Sequence, residues 1–226
     1  MSKKKLQENS YILFLFGVLI LLIIVMALVS PYFFTWRNCR NILNQSAIYL
    51  VISIGMTFVI SAGQIDLSVG AIIGFSGMVM GLLSKAGVPE VIAIALGLIG
   101  AVVIGLLNGV IISCGKINSF IVTLSTMTVL RGLILIWTNS KSIFGFGSIF
   151  TFVGSGKIGP LNMPIIISVI VAIIGAIVLH RTRFGNYCLF IGANDVALNR
   201  SGVNVKKYKA MIFSLCGLCA GIAGAF

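Results

Sequence analysis

Apolar runs close to 20 residues long recur from one end of this chain to the other, and no other feature limits its fold as much. The stretch Tyr11–Val29 holds no charge at all. Comparable runs follow near Ala47–Ala62, Leu67–Ser84, Pro89–Cys114, Ser119–Trp137 and Leu161–Leu179, and a seventh opens near Ala210 and is still running at Phe226. A helix of about 20 apolar residues crosses the hydrocarbon core of a bilayer, whereas a membrane barrel would show short alternating segments. The fold expected is therefore all-α: a polytopic membrane helical bundle, with residues 1–226 forming a single transmembrane domain. Only 9% of the 226 residues are charged, against about a quarter in soluble domains.

The formal charge of +12 raises the question of nucleic acid, and its distribution excludes it. Lys and Arg lie almost entirely between the apolar runs, where positive loops set topology, and no separate basic domain exists to hold a phosphate backbone. Arg181, Arg183, Arg200, Lys206, Lys207 and Lys209 crowd one loop. Counting six crossings from a cytoplasmic Lys3, Lys4 and Lys5 end places that 181–209 loop in the cytoplasm. Arg37 and Arg40 would then fall outside, with Trp36–Ser46 in an external loop or along the membrane surface. The initial apolar run is too long for a signal peptide and has no small-residue cleavage site after it, so it reads as a retained first helix. The 138–160 segment, rich in Gly, Ser and Phe, reads as a loop or short re-entrant piece.

No enzymatic constellation is present. There is no carboxylate pair and no Ser/His/Asp grouping, and the single His180 supports no metal cluster. Cys216 and Cys219 form a C-x-x-C, but within an apolar run they read as small packing residues. The stretches "GVIISCGKI" (Gly109–Ile117) and "GSGKIG" (Gly154–Gly159) imitate a phosphate loop, yet each lacks the hydroxyl that must follow the lysine. Any nucleotide energy must come from another subunit.

Four features remain. Asp66 stands between two apolar runs, where it could cap the helix that starts at Leu67, bind an ion, or pair with a basic group; its place before the helix favours the cap. Gly70, Gly74, Gly77 and Gly81 are spaced to share one helix face, a packing surface by which helices approach closely in lipid. Gly105 with Gly109, and Gly217 with Gly221, repeat that spacing. Ser119, Thr123 and Thr126 share a face of their helix; they either bond back to their own backbone or wet a solute path beside Asn108, with Arg131 further out, where it either snorkels outward or contacts a polar solute or a docking protein. Finally, Asn194 and Asp195 suit a helix start, and Arg200 and Gly202 a helix end, so Asp195–Ser201 is expected to form a short, self-capped helix. A helix that short is not stable alone and must dock, on this chain or on a partner.

The stretches "GMTFVISAGQIDLSVG" (Gly55–Gly70), "GLLNGVIISCGKINSFIVTLSTMTVLRGL" (Gly105–Leu133) and "RTRFGNYCLFIGANDVALNRSGVNVKKYKAMIFSLCGLCAGIAG" (Arg181–Gly224) resemble the permease subunits of ribose-type sugar ABC importers. The resemblance implies a subunit of the bacterial inner membrane that is not itself an enzyme and binds no cofactor. A separate ATPase subunit would bind ATP, an extracytoplasmic solute-binding protein would deliver sugar, and a second permease copy, identical or related, would complete the pathway. The 192–202 loop (Gly192, Asn194, Asp195, Arg200, Gly202) would couple to the ATPase, and "IDLSVG", with Asp66, Ser68, Gly70 and Gly74, would be a structural motif. Nucleosides, an autoinducer sugar or branched amino acids are alternative solutes for the same machinery. An ion-coupled transporter is a more distant alternative, lacking its usual intramembrane acids. Such permeases carry roughly ten helices, so further C-terminal helices are expected beyond the seven apolar runs read here.

Overall fold

A computed structural model describes residues 3–226, with side-chain surroundings from Ile12 onward, so the side chains of Lys3, Lys4 and Lys5 lie outside the described ones. Nine helices and one small hairpin appear among the described residues: α1 Lys3–Val29, α2 Trp36–Ser61, α3 Val69–Lys85, α4 Glu90–Gly115, α5 Ser119–Thr138, α6 Ser148–Ser155, β1 Lys157–Ile158, β2 Leu161–Asn162, α7 Met163–Arg181, α8 Arg183–Arg200 and α9 Val205–Gly224. Within α1, α2, α4, α5 and α7 lie stretches long and apolar enough to cross a membrane. The fold is all-α and multi-pass, as the apolar runs require.

The described residues up to 45 form one compact unit and 46–226 another. In the first, the chain turns at Ser30–Thr35 and re-enters a helix. Thr35 Oγ1 accepts from the Asn38 amide, and the Asn38 side chain donates to Phe33 O at 2.8 Å. The Arg40 guanidinium lies 5.5 Å from the Trp36 ring centre. Residues 36–46 are therefore helical and continuous with α2, not an external loop. The turn is fixed by its own hydroxyl and amide groups, which hydropathy does not register.

The second unit is built around α4 and α9. Cβ atoms added at Gly105, Gly109 and Gly217 would collide with Phe213 O, Ala210 Cα and Ala101 O. Glycine is thus what lets these two backbones touch. Gly77 of α3 meets Gly224 O in the same way, and Gly55 of α2 meets Cys219. Cys216 and Cys219 are buried free thiols. The α3 glycine face is only half used: Gly70 has no atom near its missing Cβ, and Gly74 only the tip of Ile134. Both are exposed.

Two segments depart from expectation. The 138–160 stretch holds α6, and the two-residue strands β1 and β2 pair just beyond it through Lys157–Asn162 and Ile158–Leu161. Glu90 of α4 anchors α6 by accepting from the Phe150 amide at 2.8 Å. The other is α8, which begins at Arg183, well before the expected Asp195. A sharp corner at Thr182 ends α7, and the Thr182 side chain accepts from Gly185 N. Only glycine fits at 185, where a Cβ would strike Leu179 O.

Candidate functional site

The polar residues singled out on α4 and α5 converge inside the second unit. Thr126 Oγ1 donates to Asn108 Oδ1 at 2.6 Å, Asn108 Nδ2 donates to Ser68 Oγ at 2.9 Å, and Ser68 Oγ donates to Asp66 Oδ1 at 2.5 Å. Every donor points toward the carboxylate, so the bonds polarise one another in a single direction. Asp66, Ser68, Asn108, Ser119 and Thr123 are all buried. Ser119 Oγ and Thr123 Oγ1 accept from the backbone amides of Ile65 and Leu67 at 3.2 and 3.1 Å. The α5 hydroxyls thereby satisfy the amides of the irregular 62–68 segment, which cannot be left unpaired away from water.

This placement corrects the expected cap at Asp66 and decides between the two readings of the α5 hydroxyls. Asp66 does not cap α3: the helix starts at Val69, two residues later than expected, with Ser68 as its first flanking residue. Asp66 instead accepts from the Ser68 amide at 2.9 Å, closing a local turn ahead of the helix. Asn108 and Thr123 form the inner seam between 62–68, α4 and α5 and line no open path in this conformation; the Thr123 hydroxyl also donates back to Ser119 O at 2.7 Å, while Ser119 reaches the cavity at one end of the unit. Thr126 is half-buried at the edge of that seam. The 4 and 3 spacing found their common face correctly, but not its direction.

Arg131 stands apart from the seam. It is exposed, roughly opposite buried Val122 on α5 and about 80–100° around the helix from buried Thr123 and Leu130. Ser125 and Thr128 are also exposed, their hydroxyls donating to Ile121 O and Leu124 O, and Thr128 lies the nearer of the two to Arg131 around the helix. A charged residue at the centre of a membrane helix costs on the order of 2.5–3.5 kcal/mol by insertion scales.

One end of the second unit gathers the expected coupling residues. A cavity of about 710 Å³ there is lined by Gln64, Lys116, Ser119, Asp195, Lys206 and Lys209, among others. The helix break falls at Asn194, whose φ of −164° and ψ of 94° interrupt α8. Its Oδ1 accepts from the Ala197 amide at 2.9 Å, the expected cap geometry. Gly202 follows the helix with φ +87°, a conformation favouring glycine. The helical turn from Asp195 to Arg200 is thus delimited at both ends, with exposed Val196, Asn199 and Arg200.

Three supports of this turn were not legible in sequence. Asp195 pairs with Lys209 at 2.9 Å, across 14 positions and two elements. Gly192 presses against the end of α2, where a Cβ would collide with Ser61 O. Phe58, Phe184, Tyr208 and Tyr187 form a chain of ring contacts with centroids 4.7–6.2 Å apart, which packs the α8 arm on α2 and α9. The only available signal was the clustering of aromatic residues after Arg181.

Comparison with known proteins agrees with this architecture. Residues 38–226 match the family model described as branched-chain amino acid transport system / permease component. The chain is 42% identical over 209 residues to the ribose import permease protein RbsC of Bacillus subtilis, covering 92% of this chain and 65% of that protein. It is 34% identical to the D-allose transport system permease protein AlsC of Escherichia coli, with 92% and 65% covered. It is 35% identical to the L-arabinose ABC transporter permease protein AraH of Azospirillum brasilense, with 92% and 61% covered. The chain thus spans about 65% of the length of the first of these relatives. No solved structure matches it. With most of its length matched by one family model, its polytopic helical fold and its similarity to sugar-transport permeases, the chain belongs to the branched-chain amino acid transport system permease family.

Proposed function

We propose that this chain is the single-domain permease subunit of an ATP-driven ABC importer for a monosaccharide such as ribose, resident in a bacterial inner membrane with its N-terminus in the cytoplasm. Two permease copies enclose the solute path, a binding protein delivers sugar from outside, and a separate subunit binds and hydrolyses ATP. The observation that carries the coupling role is the helical turn from Asp195 to Arg200. It has its own cap, its own stop and an ion pair to α9, yet its outer residues are exposed. Such a rigid, exposed element suits transmission of a push, because the Asp195–Lys209 pair and Gly192 tie its motion to α9 and α2.

The similarity to ribose, allose and arabinose permeases favours a sugar, and the family description keeps branched amino acids as the second reading. Labelled D-ribose uptake in cells, competed with leucine, separates the two. For coupling, Asp195→Ala and Gly202→Val are expected to lower solute-stimulated ATP hydrolysis at least about tenfold while membrane insertion stays at the parent level. Parent-like stimulation in both variants would remove the coupling role from this turn.

A further inference from the structure

We infer that Arg131 is a solute-contact residue, its guanidinium donating hydrogen bonds to the hydroxyl groups of a polyhydroxylated solute; this rests on the importer reading above. The charged residues and the histidine of the other candidate spanning helices sit at helix ends: Arg37 and Arg40 open α2, Glu90 opens α4, and His180 and Arg181 close α7. Among the described residues Arg131 is the one charged group well inside a span, about 10 Å from the Thr138 end at ~1.5 Å per residue. The flank of α5 that carries Ser119, Thr123 and Thr126 is committed to the buried seam, and Arg131 is exposed beside it. It has no ionic partner: the one ion pair among the described residues joins Lys209 and Asp195.

A permanent charge on that face is unfavourable against lipid, so the face is one that water and solute reach. The surroundings fit. Gly132, next in sequence, has no atom within 4 Å of its missing Cβ, so the helix surface there is uncovered. Thr128, three residues before Arg131 on α5, keeps acceptor lone pairs free. A guanidinium carries five donors in a planar fork and no acceptor, which matches two adjacent hydroxyl oxygens of a neutral solute; an ammonium offers no such fork.

The test uses cells carrying the chain with its transport partners, in a Cys39→Ser, Cys114→Ser background that removes the partly exposed and the exposed thiol. Arg131→Cys and Val129→Cys are treated with a cationic methanethiosulfonate. Val129 is also exposed but lies roughly 160° around the helix, two residues away. Arg131→Cys is expected to react at least about tenfold faster than Val129→Cys, and excess D-ribose is expected to slow it. In parallel, Arg131→Lys is expected to reduce D-ribose uptake about tenfold at unchanged membrane level, because the charge remains while the fork is lost. Equal labelling at the two positions, or parent-like uptake in Arg131→Lys, would overturn the proposal and leave Arg131 reaching out toward lipid headgroups. If the parent itself takes up no ribose, the importer reading fails on its own, while the labelling ratio still decides whether water reaches Arg131.

Discussion

Asp66 is a buried acid held on one side only. Its Oδ1 accepts two bonds from Ser68, while Oδ2 has no protein partner. Removing Oδ1 would strand the Ser68 amide and hydroxyl, and each buried unsatisfied group costs about 1–3 kcal/mol. Asp66→Ala is therefore expected to lower the thermal midpoint of the detergent-solubilised protein by several degrees. Asp66→Asn keeps the acceptor at Oδ1 and should lose markedly less. Equal losses in the two variants would show that the Ser68 turn does not depend on this oxygen. The residues of the seam were all visible in the sequence as polar groups in apolar surroundings. What they bond to was not, because Ser68, Asn108 and Thr126 lie on three different segments and no local pattern records that meeting.

Helix pairs in this protein are set by where side chains are absent. Gly100 and Gly105 both lie on α4, yet a Cβ at Gly100 meets nothing, whereas at Gly105 it would collide with Phe213 O of α9. Gly105→Ala is thus expected to cost about 1–3 kcal/mol, the range for overpacking a filled interface. Gly100→Ala should be neutral or slightly stabilising, since alanine loses less backbone freedom on folding. Comparing the melting midpoints of the two variants tests this, and equal midpoints would argue against the tight α4–α9 contact. Spacing alone marked Gly105 and Gly109 as a packing face but also marked Gly70 and Gly74, which the structure leaves exposed. A glycine pattern shows which face can be approached closely, and only a neighbour's backbone shows which one is.

For the second unit as a whole, the two ends are chemically distinct. Gln64, Lys116, Asp195 and Lys209 surround the cavity at one end, while Met80, Lys141, Phe150 and Phe226 gather at the other. With the proposed cytoplasmic N-terminus, Ser201→Cys is expected to resist an impermeant thiol reagent in intact cells and to react in inverted vesicles. Ile158→Cys, on the hairpin, should do the reverse. The opposite pattern would invert the orientation assigned to the bundle. Much of this fold followed from the chain directly. The length of an apolar run is a local property, and the bilayer accepts little else in such a run than a helix, so the spanning elements and the caps at Asn194 and Gly202 could be read residue by residue. The inward or outward direction of each helix face could not. A helix in lipid is apolar on both sides, so Ser119, Thr123 and Arg131 carry no periodic mark of solvent against core, as they would on an amphipathic helix in water. Packing against α3 and α4 turned the first two inward and left Arg131 outside, because only there do buried amides exist for hydroxyls to satisfy and only the outer face has room for a charge.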